Sequence, residues 1–213
     1  MPGPPRPLDP GTAQALLAEQ PARMASGLEL PQVFSAEECQ RIVDLQTVLG
    51  HRPARSVDRK QPAHGQDRNL TYDPERRLTD LTVIPSDHAW IYQRVGRAVS
   101  QANERAWHFE LSFLEPLQLL GYPVGGHIEW HTDLGDRGLA SFRKVSATVL
   151  LSDPAEYDGG DLELLTAGRV IVTGKEQGKG VFFPSFQNHH VTPVTRGKRF
   201  ALIVWTLGKR SFT

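Results

Sequence analysis

The stretch KVSATVLLSDPAEYDGGDLELLTAGRVIVTG, from Lys144 to Gly174, contains three short runs rich in β-branched and apolar residues. Turn-forming residues separate the runs, most clearly Gly159 and Gly160, which can supply positive φ angles. Similar runs begin near residue 110 and continue to Gly208. The pattern predicts a β-rich half of about 100 residues, in which the runs pair as strands of a sandwich or barrel.

Two helices are predicted ahead of this β-rich half. The segment Phe34–Gly50 has Ser35 and Glu38 at the spacing of a capping box and ends at a glycine. The segment Ser86–Trp107 repeats apolar residues on one face, with Ser86 as the expected N-cap. Between the helices, residues 51–77 are rich in Arg and Pro and lack periodicity, which predicts a long loop.

Composition excludes several classes of protein. Lys plus Arg number 24 and Asp plus Glu number 24, and this balance disfavours nucleic acid or a membrane surface as the main partner. A single cysteine, Cys39, permits neither an internal disulfide nor a cysteine-based zinc site. Because the chain has no long apolar run and no segment of signal-peptide type, we expect a cytoplasmic protein.

The expected organisation is one domain preceded by a tail. The Pro-rich N-terminus predicts a loose arm over residues 1–30. Residues 31–213 would form a single domain, with a helical part over 31–110 and a β core over 111–208. The fold class predicted is α+β, with the helices covering one side of the β structure.

The segment HIEWHTDLGD, from His127 to Asp136, suggests a metal site. Residues two apart on a strand share a face, so His131 and Asp133 should point the same way, together with His127 and Glu129. Ile128 and its alternating neighbours should point to the other face. A His-x-Asp pair alone is weak evidence for a metal, since surface pairs of this kind are common.

A third ligand could come from Asn188-His189-His190, where either histidine enters a β-run. Two imidazoles and one carboxylate form the facial triad of non-haem Fe(II) oxygenases, which leaves coordination positions open for substrates. On the next β-run, Arg199 could bind the distal carboxylate of a chelating dicarboxylic acid in bidentate fashion.

In these residues the chain resembles the iron- and 2-oxoglutarate-dependent dioxygenases, in particular their prolyl-4-hydroxylase-like branch. The resemblance extends roughly from Leu117 to Gly208. The family pattern has a tyrosine nine residues before a His-x-Asp motif, then a Gly-Gly turn, a second histidine, and a basic residue ten positions after that histidine. Positions that fit are Tyr122, His131, Asp133, Gly159, Gly160 and Arg199. Counting back ten from Arg199 selects His189 rather than His190 as the third ligand.

The resemblance implies a double-stranded β-helix, or jelly roll, with the N-terminal helices packed on one sheet. It implies that His131, Asp133 and His189 bind catalytic Fe(II), and that Arg199 and Tyr122 bind the co-substrate 2-oxoglutarate. With O2, and with ascorbate as an optional reductant, such an enzyme hydroxylates an unactivated C–H and releases succinate and CO2. The expected substrate is a small molecule, an amino acid or a peptide.

Further details of the sequence bear on these expectations. The carboxylate of Asp133 favours hydroxylation, because halogenating relatives have a small residue at that position. Ile128 departs from the pattern, since many relatives have an aromatic residue there. The loop 133–144 would border the iron, either as a lid that presents Arg137 or Arg143 to a substrate carboxylate or as an exposed mobile loop.

Two alternatives remain open from the sequence. One is a non-catalytic jelly-roll protein that binds or senses a metal through the same three ligands. The other is a zinc hydrolase with a metal-bound water. Neither function requires the arginine and tyrosine at positions 199 and 122, and these residues therefore discriminate between the alternatives and an oxygenase.

Overall fold

The computed structural model describes residues 25–57 and 70–212, which are mostly β structure with two α-helices. The helices are α1 (Ala36–Leu49) and α2 (Ala89–Ala106). The strands, in chain order, are β1 (Leu28–Leu30), β2 (Arg52–Pro53), β3 (Ser56–Val57), β4 (Leu70–Thr71), β5 (Arg77–Leu78), β6 (Asp80–Ile84), β7 (Leu111–Leu114), β8 (Leu117–Tyr122), β9 (His127–His131), β10 (Arg143–Leu150), β11 (Asp158–Gly159), β12 (Leu162–Thr166), β13 (Arg169–Val172), β14 (Gly180–Pro184), β15 (His189–Val191), β16 (Val194–Arg196) and β17 (Arg199–Gly208). The predicted β-rich half is confirmed.

Most strands belong to two antiparallel sheets. The larger sheet has eight strands in the order β1-β14-β10-β17-β8-β6-β2, with β7 also paired to β17. The smaller sheet has five strands in the order β13-β12-β15-β9-β5. Strands β11 and β16 form a separate pair, as do β3 and β4. The long loop predicted over residues 51–77 therefore contains short strands, which at two residues each have no detectable periodicity; residues 58–69 of that loop lie outside the described part.

Helix α1 begins as its sequence predicts. The Ser35 hydroxyl accepts a hydrogen bond from the Glu38 backbone N–H, and the Glu38 carboxylate accepts one from the Ser35 N–H. The chain leaves the helix at Gly50, whose φ of 75° suits a residue without a side chain. Ile42 and Cys39 are buried on the inner face of the helix.

Replacing Ser35 with alanine should lower the free energy of unfolding by about 1 kcal/mol, because the Glu38 N–H loses its partner. Urea denaturation followed by circular dichroism measures the change. Ser100→Ala, at an exposed position inside α2, is the matched control and should leave stability unchanged or slightly higher. Equal losses in the two variants would contradict the capping role.

Helix α2 starts two residues later than predicted. Its N-cap is His88, which makes no side-chain capping hydrogen bond, so the prediction that Ser86 caps the helix is wrong. The His88 N–H instead donates to the Pro85 carbonyl, and this turn holds Ser86 outside the helix. The predicted apolar face is confirmed, because all five of its residues are buried: Ile91, Val95, Ala98, Val99 and Ala102.

The larger sheet is buried on both faces. On one face Leu119 and Leu202 share a core cluster with buried residues of α1 and α2. On the other face Leu120 and Ala201 share a second cluster with Leu162 and other residues of the smaller sheet. Adjacent residues of β8 and β17 thus alternate between the two clusters, as strand geometry requires. This alternation directs Tyr122 into the space between the sheets.

The beginning of the described chain is part of the larger sheet. Leu28–Leu30 pairs with β14 in register Leu28 to Phe182. Of the loose arm predicted over residues 1–30, residues 1–24 lie outside the described part, and the described end forms an edge strand. The predicted domain limits stay predictions. Within the described residues, none of the helices combines the length and the apolar character needed to cross a bilayer.

Candidate active site

The pairing of β9 with β15 brings two histidines side by side. His131 and His189 are partners in the antiparallel register, and their ring centroids lie 4.2 Å apart. Asp133 follows the end of β9, with its carboxylate oxygens 3.8 Å from His131 Nε2 and 3.6 Å from His189 Nε2. One ligand atom from each of the three residues lies within 4.8 Å of the others. The structure therefore brings together the three predicted ligands in a set that could hold one metal ion.

Backbone carbonyls set the tautomer of both imidazoles. His131 Nδ1 lies 2.7 Å from the Glu129 carbonyl oxygen, and His189 Nδ1 lies 2.9 Å from that of Gln187. Because a carbonyl oxygen can only accept, each Nδ1 must carry the proton. Each Nε2 then keeps its lone pair and faces the Asp133 carboxylate, which is the arrangement that a metal-binding histidine needs.

Ionisation states also suit a cation. Burial, and then the nearby His189, lower the pKa of His131 to about 4, although Asp133 opposes this shift. Burial alone raises the pKa of Asp133, but His189, His131 and a hydrogen bond from Ser146 outweigh burial and hold the pKa below its usual value. At neutral pH the site therefore presents a neutral imidazole and an ionised carboxylate, neither of which must lose a proton to bind a metal.

His190 lies away from this set of ligand atoms. Its Nε2 contacts a Glu163 carboxylate oxygen at 2.6 Å, and its ring stacks on Trp130 at a centroid distance of 3.9 Å. The structure thus places His189 rather than His190 beside His131 and Asp133.

A register irregularity in β9 changes the predicted faces. His189 pairs with His131 but Val191 pairs with Ile128, so β9 has one more residue than β15 over this interval. A bulge of this kind breaks the two-residue alternation. As a result Ile128 packs against the apolar cluster between the sheets, although simple alternation directed it to the opposite face.

Arg199 and Tyr122 meet on adjacent strands of the larger sheet. They are register partners of β17 and β8, and both are almost completely inaccessible to solvent, with 0% and 1% of their surface exposed. The guanidinium carbon of Arg199 lies 4.6 Å from the centroid of the Tyr122 ring. No described group forms a hydrogen bond with Arg199 Nε, Nη1 or Nη2.

An uncompensated buried guanidinium is expensive, because a charge removed from water needs an opposite charge or hydrogen-bond acceptors. Two groups outside the protein chain fit the arrangement. A divalent ion of the Fe(II) type suits the imidazole and carboxylate ligands. A dicarboxylate such as 2-oxoglutarate would offer the acceptors that Arg199 lacks.

The glycine pair predicted as a turn makes room for this arginine. Gly160 has φ 60°, and a Cβ at this residue would lie 2.7 Å from Arg199 Cδ. Gly159 has φ 71°, and its Cβ would lie 2.2 Å from the Pro193 carbonyl oxygen. Any side chain at position 160 would therefore displace Arg199, so Gly160 contributes to the site as well as to the turn.

A cavity of about 810 Å³ opens above the three ligands. Its wall includes Tyr122, Phe183 and Trp205, together with the ligands themselves. Arg77 also lies on the wall, and the sequence predictions missed it, because it belongs to the segment predicted as a loop. Its only signal in the sequence was the arginine-rich composition of that segment.

Comparisons with known proteins agree with this site. Residues 117–207 match the family model of the 2OG-Fe(II) oxygenase superfamily. The PKHD-type hydroxylase PiuC of Pseudomonas aeruginosa is 29% identical to the chain over 191 residues, a match that covers 84% of the chain and 77% of the relative.

Two solved structures share the fold. A Pseudomonas putida prolyl-4-hydroxylase superposes with a TM-score of 0.66 at 18% identity, over 87% of this chain and 94% of that one. A Trichoplax adhaerens prolyl hydroxylase in complex with a hypoxia inducible factor peptide gives a TM-score of 0.65 at 16% identity, over 86% and 84% of the two chains.

Together these findings indicate an iron- and 2-oxoglutarate-dependent oxygenase. The resemblance to the prolyl-4-hydroxylase-like branch is confirmed at the level of the fold. The activity that the curated relatives indicate is that of a 2-oxoglutarate-dependent hydroxylase. The cofactors that this superfamily implies are Fe(II), 2-oxoglutarate and O2.

Proposed function

We propose that the chain hydroxylates an unactivated C–H of a small molecule, an amino acid or a peptide, with release of succinate and CO2. In this proposal His131, Asp133 and His189 bind Fe(II), and Arg199 with Tyr122 binds 2-oxoglutarate. The observation that carries the proposal is the buried Arg199 guanidinium, which has no hydrogen-bond partner among the described residues. Its register partner Tyr122 lines the same cavity as the three candidate ligands.

The residues have distinct roles in this scheme. Iron, 2-oxoglutarate and O2 together would supply the oxidant, with one oxygen atom entering the product hydroxyl and the other entering succinate. The backbone carbonyls of Glu129 and Gln187 hold the Nδ1 atoms of His131 and His189, so that both Nε2 atoms would remain free to bind the metal. Arg199 binds the distal carboxylate of 2-oxoglutarate, and the Tyr122 hydroxyl donates a hydrogen bond to the same molecule. The apolar residues around Tyr122 exclude water from that ion pair.

Arg199 also weakens both alternatives. A protein that only binds or senses a metal needs no buried cation aimed at a dicarboxylate, and a zinc hydrolase needs none either. The relatives named as hydroxylases support catalysis in the same way. The hypoxia inducible factor peptide bound by the Trichoplax neighbour supports including peptides among the substrate classes. We further propose that the two sheets form the double-stranded β-helix of one domain, which includes β1 as well as the predicted residues 31–213, and that the protein acts in the cytoplasm.

The direct test is oxygen-dependent release of succinate from 2-oxoglutarate in the presence of Fe(II) and ascorbate. Removing the metal with a chelator should abolish turnover, and adding Fe(II) should restore it. With Mn(II) replacing Fe(II), 2-oxoglutarate at 100 times its Kd should raise the melting temperature by roughly 5–10 °C. Absence of both turnover with a broad substrate panel and the 2-oxoglutarate-dependent thermal shift would refute the proposed function.

A further inference from the structure

The cavity above the metal ligands is unusually basic. Five arginines lie on its wall, against two acidic residues among the described lining, Glu129 and the metal-ligand candidate Asp133. The chain as a whole has no net charge, so this excess is local. The five are Arg52, Arg55, Arg76, Arg77 and Arg143. A concave site lined by one sign of charge concentrates ligands of the opposite sign.

Two of these arginines already have acidic neighbours. Arg143 Nε donates to Glu115 at 2.6 Å, and its guanidinium stacks on Trp205 at 3.8 Å from the ring centroid. The Arg76 Nε lies 3.9 Å from a carboxylate oxygen of Glu129. The expectation that Arg143 meets a substrate carboxylate is therefore not supported, because its guanidinium is occupied by Glu115.

Arg77 differs from both of them. It is half-buried on β5, and its Nε donates to the Thr79 hydroxyl at 3.0 Å. Among the described residues, no carboxylate lies within ion-pair distance of its guanidinium. Arg77 pairs in register with Ile128 of β9, the strand that ends at His131, and lies on the wall of the cavity that the three candidate ligands also line. Burial lowers the pKa of Arg77, while Tyr122 and Asp133 raise it through their charges. Arg52 and Arg55 lie exposed on the same wall.

We propose that the substrate to be hydroxylated carries an oxyanion, a carboxylate or a phosphate, and that Arg77 binds this group. Arg52 and Arg55 attract the anion to the cavity, and Arg77 fixes it through charge-assisted hydrogen bonds. The inference rests on the proposed function, because it assigns the substrate class of the same site. It is separate from the role of Arg199, which is fully buried between the sheets and reserved for the co-substrate.

The test measures substrate binding rather than turnover. The protein is loaded with Zn(II) in place of Fe(II) and with saturating 2-oxoglutarate, and Kd values are measured by calorimetry. The probes are matched pairs: amino acids and N-acetyl dipeptides against their amides, and phosphate monoesters against their parent alcohols. We expect the anionic member of at least one pair to bind about 10- to 100-fold more tightly, with the favoured pair distinguishing a carboxylate from a phosphate. Because the interaction is ionic, raising the salt concentration should reduce this preference.

Variants assign the preference to one side chain. Arg77→Gln should remove most of the preference for the anion, and Arg77→Lys should keep part of it, since a charge remains without the planar fork. Arg169→Gln, at an exposed arginine on β13, is the matched control and should retain the full preference.

Three results would overturn the inference. The first is that the anionic and neutral members of every pair bind equally, or that neither binds. The second is a preference for the anion that survives Arg77→Gln. The third is a preference that does not change with salt concentration. If Arg77→Gln does not fold, two other measurements decide the question. The preference of the unmodified protein for the anion should weaken with added salt, and Arg55→Gln should lose part of that preference. Failure of the proposed function is recognised separately, because 2-oxoglutarate would then fail to stabilise the unmodified protein.

Discussion

His189→Ala should abolish 2-oxoglutarate turnover, whereas His190→Ala should retain much of it. The two side chains are adjacent in sequence but differ in surroundings, since His189 lies against His131 and Asp133 while His190 stacks on Trp130. Removing a metal ligand should cost more than the roughly 10–100-fold loss of metal affinity seen when only a supporting hydrogen bond is removed. We therefore expect turnover to fall by about 1,000-fold or more.

The measurement has two parts, metal binding and succinate release. Co(II) titration followed by absorption spectroscopy reports affinity without depending on catalysis, and succinate release reports activity at saturating Fe(II). His190→Ala is the matched control and removes only the contacts with Glu163 and Trp130, which should lower stability by about 1 kcal/mol. If His190→Ala lost the metal and His189→Ala kept it, the assignment of the third ligand would be reversed.

The sequence correctly predicted features of the two helices that depend only on residues close together in the chain. The capping box at Ser35 lies within one helical turn and the apolar face of α2 spans about three turns of a single helix, so the local sequence contains the necessary information. The start of α2 was missed because a turn at Pro85 competes with the predicted cap, and propensity alone does not decide between them.

The grouping of His131, Asp133 and His189 could be predicted because the family that the chain resembles combines a short motif with a fixed spacing to Arg199. The sequence could not predict the orientation and the contacts of individual side chains around the site. The bulge in β9 turns Ile128 toward the cavity, although strict alternation would not do so. Two further features depend on strands that are far apart in the chain. One is that Arg199 has no hydrogen-bond partner among the described residues, and the other is that Arg77 lies on the cavity wall.

Arg199→Met should destroy the affinity for 2-oxoglutarate while leaving the ligand-free protein as stable as before, or more stable. In the ligand-free fold the guanidinium is buried and no described group compensates its charge. Replacing such a charge with an apolar side chain of similar volume is often neutral or stabilising, by up to about 4 kcal/mol. Removing one member of a buried charge pair costs about 2–5 kcal/mol of binding, so the KM for 2-oxoglutarate should rise by roughly 30- to 4,000-fold.

In Arg199→Met, unchanged or increased stability without ligand, combined with a loss of affinity for 2-oxoglutarate, distinguishes a binding role of Arg199 from a structural one. Thermal unfolding without ligand, and again with Mn(II) and 2-oxoglutarate, gives both quantities for the same protein. Arg199→Lys is the matched control, since it keeps the charge beside Tyr122 and loses only the bidentate geometry, and its KM should be intermediate. A marked loss of stability in Arg199→Met without ligand, together with an unchanged response to 2-oxoglutarate, would make Arg199 a structural residue. A buried charge that destabilises the empty fold is instead what a site shaped for an anionic co-substrate requires, because the ligand supplies the missing partner.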